Sequence, residues 1–155
     1  MYKLIMLAFI VLTAGCKNNE NNENNKSNTS KNPDNPKYIS YSIINNFPHD
    51  TSSFTQGLVI HNGIMYEGTG EYGHSKLLQV DFKTGKVERK LELGNKYFGE
   101  GVTILNDTIY QLTWKEKIVL VYSLKDFKKI KEFTINTDGW GITTDGKELI
   151  VSDGS

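Results

Sequence analysis

Gln56-Gly57-Leu58-Val59-Ile60-His61-Asn62-Gly63-Ile64-Met65-Tyr66 aligns residue for residue, without a gap, on Glu100-Gly101-Val102-Thr103-Ile104-Leu105-Asn106-Asp107-Thr108-Ile109-Tyr110. Each copy is an apolar run rich in β-branched residues, an Asn-led turn, and a second β-prone run. That pattern reads as a tight antiparallel hairpin. A third copy opens at Trp140-Gly141-Ile142-Thr143-Thr144-Asp145-Gly146 and runs to Ile150, so the anchor glycines Gly57, Gly101 and Gly141 stand 44 and 40 residues apart. A further strand-like run recurs at a similar interval, Leu78-Gln79-Val80-Asp81 and then Leu120-Val121-Tyr122-Ser123. Repeats of about 40–45 residues built from four short strands are the mark of β-propeller blades.

Working outward, the same grammar continues. Ile39-Ser40-Tyr41-Ser42-Ile43, Leu77 to Phe82 and Ile118 to Tyr122 alternate in polarity, and Lys83-Thr84-Gly85-Lys86 and Asp145-Gly146 supply turns. No stretch sustains helical periodicity, so the fold class is all-β. On strands and turns alone, a β-sandwich is the alternative architecture. Residues 38–155 hold about two and a half blades, whereas a ring closes with about four to eight. The sequence is therefore expected to be the N-terminal part of a longer propeller.

Ahead of the repeats lie an address and a tether. Residues 1–15 combine Lys3, the apolar run Leu4 to Leu12 and the small residues Thr13-Ala14-Gly15, directly before Cys16, the chain's single cysteine. Nine apolar residues are too few to span a bilayer, which takes about 20, but they suit a secretory signal. A cleavage point before a cysteine resembles a bacterial lipoprotein signal. The expectation is an exported protein, lipid-anchored to a bacterial membrane at Cys16, periplasmic or on the cell surface. Residues 16–37, rich in Asn and Lys, contain no aliphatic or aromatic side chain after Cys16 and read as a disordered tether. The whole chain has 18 basic and 18 acidic residues, a balance that does not point to nucleic acid as a partner.

The repeat frame also singles out side chains. Gln56, Glu100 and Trp140 each stand immediately before an anchor glycine, and Gly70, Trp114 and Gly154 each stand thirteen residues after one. In a propeller, equivalent positions form a ring about the axis, so a carboxamide, a carboxylate and indoles are expected to converge at one mouth. Glu100 is flanked by Gly99 and Gly101 and taken alone would be an exposed loop carboxylate. Other patterns carry less. Gly68-Thr69-Gly70-Glu71-Tyr72-Gly73 matches a phosphate-loop spelling but no helix follows it. His49, His61 and His74 lack ligand spacing, so no metal and no cofactor is expected. Asp138, Asp145 and Asp153 each precede a glycine and read as turn residues. Lys125 to Lys131 reads as a solvated strand-and-turn surface, and no base is placed for Ser155.

Seven motifs occur in order: Phe47-Pro48-His49-Asp50, Phe54-Thr55-Gln56-Gly57, Tyr66-Glu67-Gly68-Thr69-Gly70, Phe98-Gly99-Glu100-Gly101, Gln111-Leu112-Thr113-Trp114, Trp140-Gly141 and Ser152-Asp153-Gly154-Ser155. Together they resemble the plant-type glutaminyl-peptide cyclotransferases, or glutamine cyclotransferases, over residues 44–155. The resemblance implies a five-bladed β-propeller. It implies conversion of an N-terminal glutamine of peptides or proteins to pyroglutamate, with release of ammonia and no metal. It makes Glu100 the proton-carrying group, puts Phe54, Gln56 and Phe98 in the pocket lining, and makes Trp114 and Trp140 its indole walls. The family also draws an asparagine, a tryptophan and a lysine from later blades, beyond Ser155. The alternative is a non-catalytic propeller module that binds peptides or glycans at the cell surface. Glu100 together with both tryptophans separates the two, because a scaffold has no need of that set.

Overall fold

Asn62 and Gly63 adopt φ of 51° and 76°, and Asn106 and Asp107 adopt 49° and 56°. Two successive positive values make the type I′ turn, whose twist matches that of the strands it joins. In the computed structural model, which describes residues 38–155, these turns close β1 (Thr55–His61) onto β2 (Ile64–Thr69) and β5 (Gly99–Leu105) onto β6 (Thr108–Thr113). Strands β3 (Lys76–Asp81) and β4 (Lys86–Glu92) complete the first sheet, in the order β1-β2-β3-β4. Strands β7 (Ile118–Ser123) and β8 (Lys129–Thr134) complete the second, in the order β5-β6-β7-β8. A third sheet holds β9 (Gly141–Thr144) and β10 (Leu149–Ser152). Every pairing is antiparallel, and the described residues contain no helix. These are two complete propeller blades and the inner hairpin of a third.

The anchor glycines explain how the blades meet. A Cβ added to Gly57 would run into the backbone of Gly101 and Val102, and one on Gly101 would sit 2.7 Å from the Trp140 carbonyl oxygen and 2.8 Å from the Ile142 nitrogen. Backbone therefore touches backbone where β1, β5 and β9 converge, and only glycine leaves the room. The periodic glycine is a packing requirement of the axis.

Between the first two blades lies the main core, formed by Tyr66, Leu77, Leu93, Tyr97, Val102, Ile104, Ile109, Leu120, Tyr122 and Phe127. Each such side chain contributes about 1.5–3 kcal/mol on burial. Leu112, Val119 and Val121 pack toward the third sheet with Ile142. On the far face of the first blade, Met65, Leu78 and Val80 are buried with Phe82 beside them. The segment before β1 covers part of this face: Phe47 stacks edge-on against Phe82 at 5.3 Å. His49 Nε2 lies 3.2 Å from the fully buried carboxylate of Glu67, which also accepts the Thr55 hydroxyl. The buried carboxylate is thus partnered on both oxygens.

Two expectations are corrected. Ile39 to Ile43 alternates like a strand but forms none, and Ile39, Tyr41 and Ile43 are exposed. Alternation marks a half-buried strand only where a neighbouring strand supplies hydrogen bonds, and no described strand pairs with this segment. The Lys125 to Lys131 cluster is not wholly solvated surface. Phe127, at φ 62°, turns inward to the main core with the Arg89 guanidinium 4.6 Å above its ring. The chain divides into units at residues 1–41 and 42–155, and the ten strands of the described residues belong to the second. Cys16 and the readings of residues 1–37 as signal and tether lie outside the described residues.

Candidate active site

The side chains ahead of the anchor glycines owe their direction to irregular pairing. The β1–β2 register slips between Thr55 and Gly57, and the β5–β6 register slips between Gly99 and Val102. Both slips are β-bulges, which leave one strand's extra residue unpaired and re-aim its side chain. The unpaired residues are Gln56 in one blade and, in the next, Glu100-Gly101, which together stand against Leu112. Backbone bonds close each irregularity in the same way: Gly70 N–H donates to the Phe54 carbonyl at 2.8 Å, and Trp114 N–H donates to the Phe98 carbonyl at 3.0 Å. In the third sheet, the Trp140 carbonyl accepts from Gly101 N–H at 2.9 Å while its N–H donates to the Ser152 carbonyl at 3.1 Å. Trp140 is thereby tied to both the second and third blades.

The result is one cavity of about 540 Å³ lined by Phe54, Gln56, Phe98, Glu100, Trp114, Trp140, Gly141 and Ser152. All six side chains singled out in the sequence line it together. Phe98 is the hub of its wall, edge-on to Phe54 at 6.3 Å, to Tyr72 at 5.4 Å and to Trp114 at 5.5 Å. Such edge-to-face contacts add about 0.5–1.5 kcal/mol each beyond area burial. Trp140, 49% exposed, forms the open side, and Phe54 is 52% exposed.

Glu100 is the titratable group of this cavity and is only 9% exposed. Burial pushes its carboxyl up from 4.5 to about 7, and no charge or hydrogen bond among the described residues opposes the shift. A carboxyl half-protonated near neutrality can both accept and return a proton. Its backbone is anchored by the two amides that precede it. Gly99 N–H donates to the buried Ser75 hydroxyl at 2.9 Å, that hydroxyl donates to the Glu71 carbonyl at 2.8 Å, and Phe98 N–H donates to the Glu116 carboxylate at 3.2 Å. The carboxylate is thus presented from strand β5, not from a loop.

Sequence reading missed several contributors. Ser152 and Gly141 line the cavity, and Ser75, Tyr72 and Glu116 brace it. Tyr72 and Glu116 are 44 residues apart, the spacing of Gly57 and Gly101, so the repeat frame carried a signal for that pair. Gly70 and Gly154 do not line this cavity. Gly154 instead lies beneath the Trp140 ring.

Fold and site together define a partial β-propeller that carries a buried carboxyl group, Glu100, in a cavity walled by aromatic side chains. The sequence profile described as Glutamine cyclotransferase matches residues 8–155. The chain belongs to the glutamine cyclotransferase family. It is 44% identical over 115 residues to the glutaminyl-peptide cyclotransferase of Arabidopsis thaliana, covering 73% of this chain and 36% of that protein. The crystal structure of Myxococcus xanthus glutaminyl cyclase superposes with a TM-score of 0.65 at 34% identity, over 73% of this chain and 47% of that one. The chain therefore spans less than half the length of these relatives. At 14% identity, the β-propeller domain of Myceliophteria thermophila Cps50 (Swd1) superposes with a TM-score of 0.52, over 67% of this chain and 34% of that domain, which speaks to fold alone.

Proposed function

We propose that this protein acts in glutaminyl-peptide cyclisation, turning the N-terminal glutamine of a peptide or protein into pyroglutamate and ammonia. The observation that carries the reading is the desolvated Glu100 carboxyl facing a cavity walled by Phe54, Phe98, Trp114 and Trp140. In the reaction, the neutral α-amine attacks the side-chain amide carbon, forming the ring N–C bond. The C–N bond to the amide nitrogen then breaks, and that nitrogen leaves as ammonia only if it gains a proton. Glu100 takes the proton lost by the attacking amine and delivers it to the departing nitrogen. The proton count closes without a further reagent.

A free α-amine titrates near 7.7–8, so modest assistance suffices, and general acid–base help of this kind contributes about 10²–10⁴-fold. The aromatic walls exclude water and hold the glutamine side chain folded back on its own amine, where proximity supplies much of the acceleration. Gln56, with one amide donor pair and one acceptor, is suited to orienting the substrate amide. The same reading takes the protein to be exported and lipid-anchored at Cys16, on the strength of the Leu4 to Leu12 run ahead of it.

The test is incubation of a Gln-initiated peptide with the purified chain, followed by mass spectrometry. The expected product has lost one ammonia and resists Edman degradation. A folded chain that leaves the peptide mass unchanged above the spontaneous rate contradicts the proposal.

A further inference from the structure

We propose that Glu116 is a positioning residue for this site, its carboxylate bracing the Phe98 wall by joining the Tyr72 hydroxyl to the Phe98 backbone amide. Tyr72 Oη donates to Glu116 Oε1 at 2.8 Å, and Phe98 N–H donates to Glu116 Oε2 at 3.2 Å. The Tyr72 ring meanwhile lies edge-on to the Phe98 ring at 5.4 Å. These three contacts form a closed circuit: ring to ring, amide to carboxylate, carboxylate to hydroxyl. Rotating Phe98 away from the cavity breaks at least one of them.

The circuit acts on the site because of what else Phe98 touches. Its ring meets Phe54 and Trp114, both in the cavity wall, and it stands two residues before Glu100 in sequence. Its carbonyl is already fixed by Trp114 N–H, and the next amide, Gly99, is fixed by Ser75. The Phe98 amide is the remaining link, and Glu116 supplies it with a charged acceptor. Bonds to an ionised acceptor are roughly twice as strong as neutral ones. Tyr72 and Glu116 occupy corresponding loops of successive blades, after β2 and after β6, one 44-residue repeat apart. The contact is therefore also a latch between the rims of the two blades, beside the Phe98 wall of the cavity.

An exposed staple of this kind stabilises folds only weakly, so its expected signature is in substrate handling and not in melting temperature. The kinetic arm rests on the cyclase reading above. Against a Gln-initiated peptide, Glu116→Ala should raise KM about tenfold while changing kcat by about threefold or less. Glu116→Gln keeps an acceptor for Phe98 N–H and a polar partner for Tyr72, and should recover most of the loss. Tyr72→Phe removes one bond at an exposed position and should fall between, and it decides the matter if Glu116→Ala does not fold. A second arm needs no substrate: the Phe98 amide proton resonance should shift upfield in Glu116→Ala and stay near its original place in Glu116→Gln. An unchanged KM with an unmoved Phe98 resonance overturns the proposal, as does equal loss in Ala and Gln variants accompanied by a lowered melting temperature. If the wild-type chain does not process the peptide, the cyclase reading fails, and the Phe98 resonance alone then decides for or against the brace.

Discussion

Gly154 lies directly under the indole of Trp140, so close that a Cβ there would overlap the ring carbons, and its backbone φ is +80°. The open wall of the cavity is thus propped from the segment just after β10. Gly154→Ala meets both a steric block and a conformation that L side chains rarely adopt, a strain of about 1–3 kcal/mol. The expected result is a Trp140 side chain swung off its seat, read as a red shift in tryptophan emission and weaker binding of a Gln-initiated peptide. Unchanged emission and binding would show that Gly154 does not set the indole.

Glu100 ties stability to pH in a defined direction. Folded, it holds its proton up to about pH 7, whereas its unperturbed value is 4.5. Between those values the folded chain binds more protons than the unfolded one, so stability falls as pH rises through the window. Glu100→Gln removes the ionisation. It should raise the melting temperature near pH 8 and leave it almost unchanged near pH 4, below both values. The whole shift corresponds to roughly 3 kcal/mol, and the solvent-open cavity reduces this to about 1–2 kcal/mol. Thermal melts of both proteins at the two pH values give the answer, and an equal gain at both would assign the effect to packing.

Gln111 is a fully buried amide that crosses between blades. Its Nε2 donates to the Lys76 carbonyl at 3.1 Å, and its Oε1 has no partner among the described residues. Gln111→Ala leaves a void and strips the Lys76 carbonyl of its donor, for an expected loss of about 2–4 kcal/mol. Gln111→Met keeps the volume and removes the orphan oxygen, so it should cost clearly less. Urea unfolding midpoints at constant slope report both values. Equal losses would place the energy in the hydrogen bond and not in the filled space.

The propeller could be read from sequence because its constraints are local and repeated. Asn62-Gly63 and Asn106-Asp107 state their turn, and Gly57, Gly101 and Gly141 mark where strands touch at the axis. The ring positions of Gln56, Glu100 and Trp140 followed from the same frame, and they do share one cavity. What escaped depends on neighbours distant in sequence. Phe127 sits among lysines yet is buried, because a positive-φ turn aims it at Tyr66 and Arg89 on the preceding blade. Ile39 to Ile43 has the polarity of a strand, but pairing is a property of two segments. The bulges that aim Gln56 and Glu100 left no mark beyond the flanking glycines. The pKa of Glu100 depends on how thoroughly its surroundings are dried, which no spacing reveals.

The central claim is that Glu100 carries the proton between the attacking amine and the departing nitrogen. Its most direct test compares wild type and Glu100→Gln in the ammonia-loss assay, with peptide binding followed in parallel by tryptophan fluorescence. The account predicts that binding persists while the cyclisation rate drops by about 10²–10⁴-fold. Undiminished cyclisation by Glu100→Gln would contradict it.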